Sequence, residues 1–284
     1  MTFNRLATIL LITLILYVVA LCTYIFIVLY LRISAYTYSY KEQRLQEDML
    51  VTAYYDIYGK PERFTEYLAL FHDLGMSGIP MILFTDPSMV SKFSMFPASV
   101  TIAAIPLRAF ELYQIAMNYD GELPPTRNVQ KDTKEFFALM NTKMEFVKKA
   151  AEIALEDQTF MWIDFGILKI MKNPARVMEK LKQIQGRTFP KFTIPGCWSY
   201  GRAFTVNAIH WRFCGGFFVI PRTLIDRFYN HSKCVLTDFC TQPIYKLTWE
   251  TNVWTLIEFC AEKDNIAWYF ADHNDTMIMD ITVE

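Results

Sequence analysis

The chain has 284 residues, of which 53% are hydrophobic, 16% aromatic and only 20% charged, a composition that excludes disorder and supplies apolar side chains for a sizeable buried core. Its 28 basic residues stand against 29 acidic ones, a net charge of −1 that gives no global electrostatic reason to bind nucleic acid, and no nucleic-acid partner is expected. Low-complexity and repeat composition are absent.

A short tail, 1–5, precedes a run over 6–31 without a charged residue, bracketed by Arg5 and Arg32. As a helix at about 1.5 Å per residue this run reaches about 39 Å, enough to cross a hydrocarbon core of about 30 Å with tilt. It predicts a transmembrane signal anchor and a membrane as partner. The alternative is a cleavable signal peptide with its small-residue site at Val18 to Ala20, for which the apolar region is long. Arg32, Lys41 and Arg44 outnumber Arg5, a count that favours an outside N-terminus, although Glu42, Glu47 and Asp48 dilute it.

Residues 32–48 read as a stalk and 49–284 as the folded domain. Met49 to Asp56 predicts a strand ended by Gly59 and Pro61. Phe64, Tyr67, Leu68, Phe71 and Leu74 recur at helical spacing until Gly75 and Gly78. Pro80 to Asp86 and Val100 to Ile105 are continuous apolar runs of strand length, the pattern of strands covered on both faces. One long helix is predicted from Asp132 to Leu155. Thr159 to Gly166 is a further buried strand whose first acid, Asp164, comes at its C-terminal end. Past residue 190 glycines interrupt aromatic stretches. Helices return near Pro221 to Ser232 and Trp249 to Lys263, and Ile266 to Ala271 is a last apolar run. Strands alternating with helices predict a mostly parallel sheet flanked by helices, with ligands beyond the carboxyl ends of the strands.

Cys22 lies in the predicted span, leaving Cys197, Cys214, Cys234, Cys240 and Cys260. No C-x-x-C pair occurs, so the spacing gives little support to structural zinc or a thioredoxin-type motif. Asn230-His-Ser and Asn274-Asp-Thr are glycosylation triplets that arise often by chance. Rossmann, P-loop, serine-hydrolase and zincin fingerprints are missing.

Asp164 is placed where a sheet edge meets solvent and a cation could sit, or else caps the turn at Gly166. Asp272-His273-Asn274 offers carboxylate and imidazole for a hard cation such as Mg²⁺ or Mn²⁺, or a plain polar turn. Glu250 and Trp254 share a helix face, an acid beside an aromatic platform of the kind that suits sugar stacking; the ordinary explanations are a helix N-terminal acid and core packing. Trp211-Arg-Phe-Cys-Gly215-Gly216 joins a cation, rings and two glycines that let backbone approach a ligand, or forms a tight bulge.

Four segments carry a resemblance: Val51-Thr-Ala-Tyr-Tyr-Asp-Ile57, Phe160-Met-Trp-Ile-Asp-Phe-Gly166, Thr248-Trp-Glu-Thr-Asn-Val-Trp254 and Trp268-Tyr-Phe-Ala-Asp-His-Asn274, with Asn141-Thr-Lys143 before the central strand. Over roughly 49–278 the chain resembles the HtrL/YibB-type glycosyltransferases. The resemblance implies a GT-A-like fold with the first strand, hence Thr52 and Tyr54, near the nucleotide, and Asp164 at the place of the metal-binding acidic motif. Here that motif reads Asp164-Phe-Gly rather than D-x-D. The implied function is transfer of a sugar from a nucleotide-sugar donor to a glycan, lipid or protein acceptor, with Mn²⁺ or Mg²⁺ as cofactor. The expected metal ligands are Asp164, Asp272 and His273. Asp164 and Glu250 are the expected catalytic residues, Glu250 as a base or a sugar hydrogen-bond acceptor on the acceptor side, and Thr52, Tyr54, Lys143, Trp211, Gly215, Gly216 and Trp254 are expected around the donor. By the same analogy the topology is type II, with the catalytic domain in a Golgi or endoplasmic-reticulum lumen. The alternative is a membrane-tethered carbohydrate-binding or scaffold protein of the same fold without turnover.

Overall fold

The structure, a computed structural model, describes Leu21, Thr23, Tyr24 and residues 48–154 and 159–282. The anchor predicted over 6–31 and the stalk lie almost entirely outside these residues. Among those described, no helix is long and apolar enough to cross a membrane. The folded body, Glu47–Glu284, is a compact unit of its own.

Its centre is a seven-stranded sheet in the order β3-β2-β1-β4-β6-β5-β7. The strands are β1 (Met49–Tyr54), β2 (Met81–Thr85), β3 (Val100–Ala104), β4 (Thr159–Ile163), β5 (Phe192–Gly196), β6 (Phe217–Pro221) and β7 (Ile266–Phe270). Pairings β1·β2, β1·β4, β2·β3 and β5·β7 are parallel, and β6 runs antiparallel to β4 and β5. The sheet is therefore mostly parallel, as the alternation of elements predicts.

Successive side chains on a strand point to opposite faces, and both faces here are apolar. Val51, Ile82, Phe84, Phe160, Trp162, Phe218 and Ile220 enter one core; Leu50, Met81, Leu83, Met161, Ile163, Phe217 and Val219 enter the other. The first face is covered by α2 (Glu111–Met117), α3 (Lys134–Asn141), α4 (Lys143–Ile153), α6 (Arg222–Thr241) and α7 (Glu250–Ile257), which contribute Leu112, Phe137, Phe146, Phe228 and Val253. The second is covered by α1 (Pro61–Gly75), α5 (Pro174–Ile184) and α8 (Thr276–Met279), through Phe71, Leu74, Val177, Leu181 and Met277. A strand buried on both sides has no room for polar alternation, which is why these strands read as unbroken apolar runs.

Three expectations are corrected. The helix predicted from Asp132 to Leu155 is two helices separated at Thr142, whose Oγ1 donates to the Ala138 carbonyl one turn back, a bond that competes with the regular ladder. The helix expected near Pro221 to Ser232 continues to Thr241 because Leu236 and Phe239 extend its apolar stripe. The helix from Trp249 changes after Ile257 into a π-helical turn, Glu258–Glu262, carrying two buried acids. Glu258 accepts from Arg212 Nε and Nη2 at 2.7 and 2.6 Å, and Glu262 pairs with Arg227 and His231.

Candidate functional site

Strand directions bring the chemistry to one edge. The C-terminal ends of β1, β4, β5 and β7 and the N-terminal end of antiparallel β6 emerge together, because β4 parallels β1 and β7 parallels β5 while β6 reverses. Asp56, Asp164, Cys197, Gly215, Gly216 and His273 follow or precede these ends in the sequence. Asp164 and His273 thus share a sheet edge, although β6 and β5 lie between their strands. Beyond it opens a cavity of about 320 Å³, the sort of crevice in which α/β sheets bind ligands.

A buried lysine lies at its base. Thr142 ends α3, so α4 starts with Lys143, whose side chain is 1% exposed. Its Nζ donates to the Gly215 carbonyl at 2.9 Å and Glu250 Oε1 at 2.8 Å, and stands 2.9 Å from Asp164 Oδ1. Burial alone would lower the Lys143 pKa, but Asp164 and Glu250 outweigh it and raise it above the ordinary lysine value, so the ammonium stays charged. One ammonium between two carboxylates leaves one negative charge over.

Asp164 lies two residues beyond Trp162 on the same face, so Trp162 Nε1 donates to its Oδ1 at 2.8 Å. Trp162 is clamped between Phe146 and Phe218, with interplanar angles of 14° and 15°. Both partners of Asp164 address the same oxygen, and its side chain is 36% exposed. Glu250 starts α7 and is buried. Gly215 is demanded by this cluster, since a Cβ there would stand 2.2 Å from Glu250 Oε1 and 3.4 Å from Lys143 Nζ.

Aromatic walls rise from the base. Tyr54 ends β1 and Tyr55 and Tyr58 come after it, Tyr67 is on α1, and Trp211 and Trp249 also line the cavity. Arg63 and Lys169 also border the cavity; the Arg63 guanidinium stacks 4.1 Å from the Tyr58 ring centre, and Lys169 Nζ donates to Glu66 at 2.7 Å.

Of the residues expected from the sequence, Tyr54, Lys143, Asp164, Trp211, Gly215, Gly216, Glu250 and His273 border this one cavity. Three lie elsewhere. Thr52 is fully buried inside β1, its hydroxyl without a hydrogen-bond partner among the described residues, because position 52 faces the second core. Trp254 is not a sugar platform but a core residue, edge-on to Phe218 and Phe192 at 5.3 and 6.1 Å, since one turn beyond Glu250 carries α7 under the sheet. Asp272 accepts from the His273 N–H at 2.8 Å and is not part of the cavity wall. The cation in Trp211-Arg-Phe is likewise spent, since Arg212 is committed to Glu258 and its carbonyl accepts from Trp268 Nε1 at 3.1 Å.

His273 lies edge-on to Trp211, with ring centres 4.3 Å apart, and its Nδ1 stands 3.8 Å from both Cys197 Sγ and Cys214 Sγ. Burial pushes its pKa down, which favours the neutral imidazole. Tyr55, Tyr58, Arg63 and Lys169 were missed from sequence. Tyr55 and Tyr58 were signalled by their position just past a strand end, whereas Arg63 and Lys169 carried no local signal.

The motif residues not on the cavity turn out to hold it in shape. Asn252 Oδ1 accepts from the His210 N–H at 2.8 Å, and its Nδ2 donates to the Thr205 and Ala208 carbonyls at 3.1 and 2.9 Å, pinning the loop that leads into Trp211. Asn141 Nδ2 donates to the Phe137 and Thr248 carbonyls at 2.9 and 2.8 Å, fixing α3 to the segment before Glu250.

No family profile and no curated protein matches the chain. Among solved structures it is similar to a glycosyltransferase involved in the glycosylation of the major capsid of PBCV-1, at 10% identity and a TM-score of 0.41 over 79% of this chain and 80% of that one.

Proposed function

We propose that the chain is a membrane-anchored glycosyltransferase that takes its sugar from a nucleotide-sugar donor bound in this cavity, as its resemblance to the HtrL/YibB-type enzymes implies. The observation that carries the reading is the Lys143–Asp164–Glu250 cluster at the base of an aromatic-walled cavity on the sheet's C-terminal edge. The aromatic rings that line the cavity suit a base and a sugar ring, and two carboxylates against one ammonium suit a divalent cation accompanying a diphosphate.

Asp164 Oδ2 is the oxygen left for Mn²⁺ or Mg²⁺, because Lys143 and Trp162 both take Oδ1. One carboxylate oxygen fits such a cation, which is commonly held by one or two carboxylates together with substrate phosphates. When bound, it would offset the charge that develops on the leaving diphosphate. Lys143 bridges the two carboxylates and fixes their positions. Glu250 accepts a hydrogen bond from the acceptor hydroxyl and orients it toward the sugar. Tyr54 and Tyr58 flank the nucleotide, and Trp211 the sugar. Residues 6–31 are the anchor of a type II protein whose domain faces a secretory lumen.

The test offers the purified full chain several nucleotide sugars with Mn²⁺ and measures nucleoside diphosphate release. Release that chelator abolishes is expected, with loss of at least about 100-fold in Asp164→Asn. A carbohydrate-binding protein without turnover is favoured by one feature, the engagement of both acids by a single lysine. It predicts sugar or nucleotide binding with no release from any donor.

A further inference from the structure

Beside the cavity, two thiols and an imidazole converge from three separate segments. Cys197 follows β5, Cys214 precedes β6 and His273 follows β7. The sulfurs are 3.5 Å apart, and each stands 3.8 Å from His273 Nδ1. Main-chain bonds fix both cysteines and the end of the segment that leads into His273. The Cys197 N–H donates to the Trp211 carbonyl at 3.0 Å, the Cys214 N–H to the Pro195 carbonyl at 2.7 Å and the Ala271 N–H to the Gly196 carbonyl at 3.1 Å. Glycine at 196 makes the crossing possible, since a Cβ there would stand 1.7 Å from the Arg212 carbonyl oxygen.

The three separations match one face of a coordination tetrahedron. With Zn–S near 2.3 Å and Zn–N near 2.0–2.1 Å, tetrahedral angles put two sulfurs about 3.8 Å apart and sulfur and nitrogen about 3.6 Å apart. A disulfide instead requires the sulfurs to close to about 2.05 Å. We propose that Cys197, Cys214 and His273 bind one zinc ion, with water in the fourth position. Two thiolates and an imidazole form a soft donor set that selects Zn²⁺ over Mg²⁺ or Mn²⁺. Binding releases the two thiol protons and offsets the two thiolate charges, with the Asp272 carboxylate beside the site, 3.8 Å from Cys197 Sγ. It changes no oxidation state.

Such an ion ties the ends of β5 and β7 to the loop that carries Trp211 and Gly215, so it holds one wall of the cavity. This does not depend on the transferase reading. Cysteine spacing offers little support for zinc because these ligands are 17 and 59 positions apart and meet only through sheet order.

The test measures metal in the full wild-type chain, purified under reducing conditions without chelator, by elemental mass spectrometry. About one zinc per chain is expected, and replacement by cobalt(II) chloride should give the near-ultraviolet thiolate-to-cobalt band and tetrahedral visible bands. Cys197→Ser and His273→Asn should each lower zinc content at least about tenfold, while the exposed Cys234→Ser and Cys260→Ser leave it unchanged. Wild-type protein without zinc and without a cobalt–thiolate band overturns the proposal. So does a Cys197–Cys214 disulfide-linked peptide in unreduced digests of freshly isolated protein. Because the first readout uses the wild type, the outcome does not depend on any variant folding.

Discussion

At the scale of single residues, Lys143 decides the site. Its ammonium serves two carboxylates and a carbonyl from a fully buried position, so removing it leaves two acids without a counter-charge. Lys143→Met is expected to cost about 3–5 kcal/mol in denaturant unfolding, and a loss below about 1 kcal/mol would contradict the cluster as described. Gly215→Ala tests the same contact from the other side. Its methyl would displace Glu250, so we expect a stability loss of about 1–3 kcal/mol together with loss of donor turnover. Unaltered stability and turnover would show that Glu250 has room the structure does not give it. Asp164 was legible in the sequence because an acid ending an apolar strand stands out. Lys143 was visible only through its resemblance motif, since nothing local says that a lysine inside an amphipathic stretch points inward. Trp254 misled because helical spacing from Glu250 predicts a shared face but not how deep that face runs into the core.

At the scale of elements, polar side chains inside the fold set the geometry. The Thr142 bond that parts α3 from α4 aims Lys143 at the cavity, and Asn252 anchors the loop before Trp211. Asn252→Ala removes three hydrogen bonds, one buried and two partly buried, and is expected to cost about 2–4 kcal/mol. Limited proteolysis should then cut within 205–210 faster than in the wild type, and an unchanged cleavage pattern would refute the pinning role. Strands β1, β2 and β4 were readable as apolar runs because strands covered on both faces leave no polar alternation, whereas the edge strand β3, also expected to be covered on both faces, exposes Thr101 and Ala104, and the edge strand β7 is only partly buried. Strands β5 and β6 were not readable, because Gly196 and Gly215, placed by close backbone and side-chain approach, look like loop punctuation in a sequence. The split helix was equally hidden, since back-bonding by a threonine leaves no trace in hydrophobic period.

At the scale of the whole molecule, the sheet edge gathers what the sequence scatters, and no periodicity reveals that β6 reverses between β4 and β5. The body's stability should also carry a signature of pH. Burial raises the Asp48 pKa from 3.8 to about 6, against lowering by hydrogen bonds from Gly186 and Thr159. The folded state therefore holds that proton more tightly than the unfolded one. This group's contribution falls as pH rises from 3.8 to about 6 and is level above. Asp48→Asn removes that slope, so the variant should gain stability relative to wild type across this window in paired urea titrations. A difference independent of pH would mean that Asp48 is not desolvated. The donor-site reading itself is tested most directly by calorimetric titration of the full chain with nucleoside diphosphates in the presence of Mn²⁺. We expect saturable binding that requires the cation and is lost in Asp164→Asn. Absence of binding by every nucleoside diphosphate, or binding unchanged by that substitution and by chelator, would contradict a donor site at the Lys143–Asp164–Glu250 cluster.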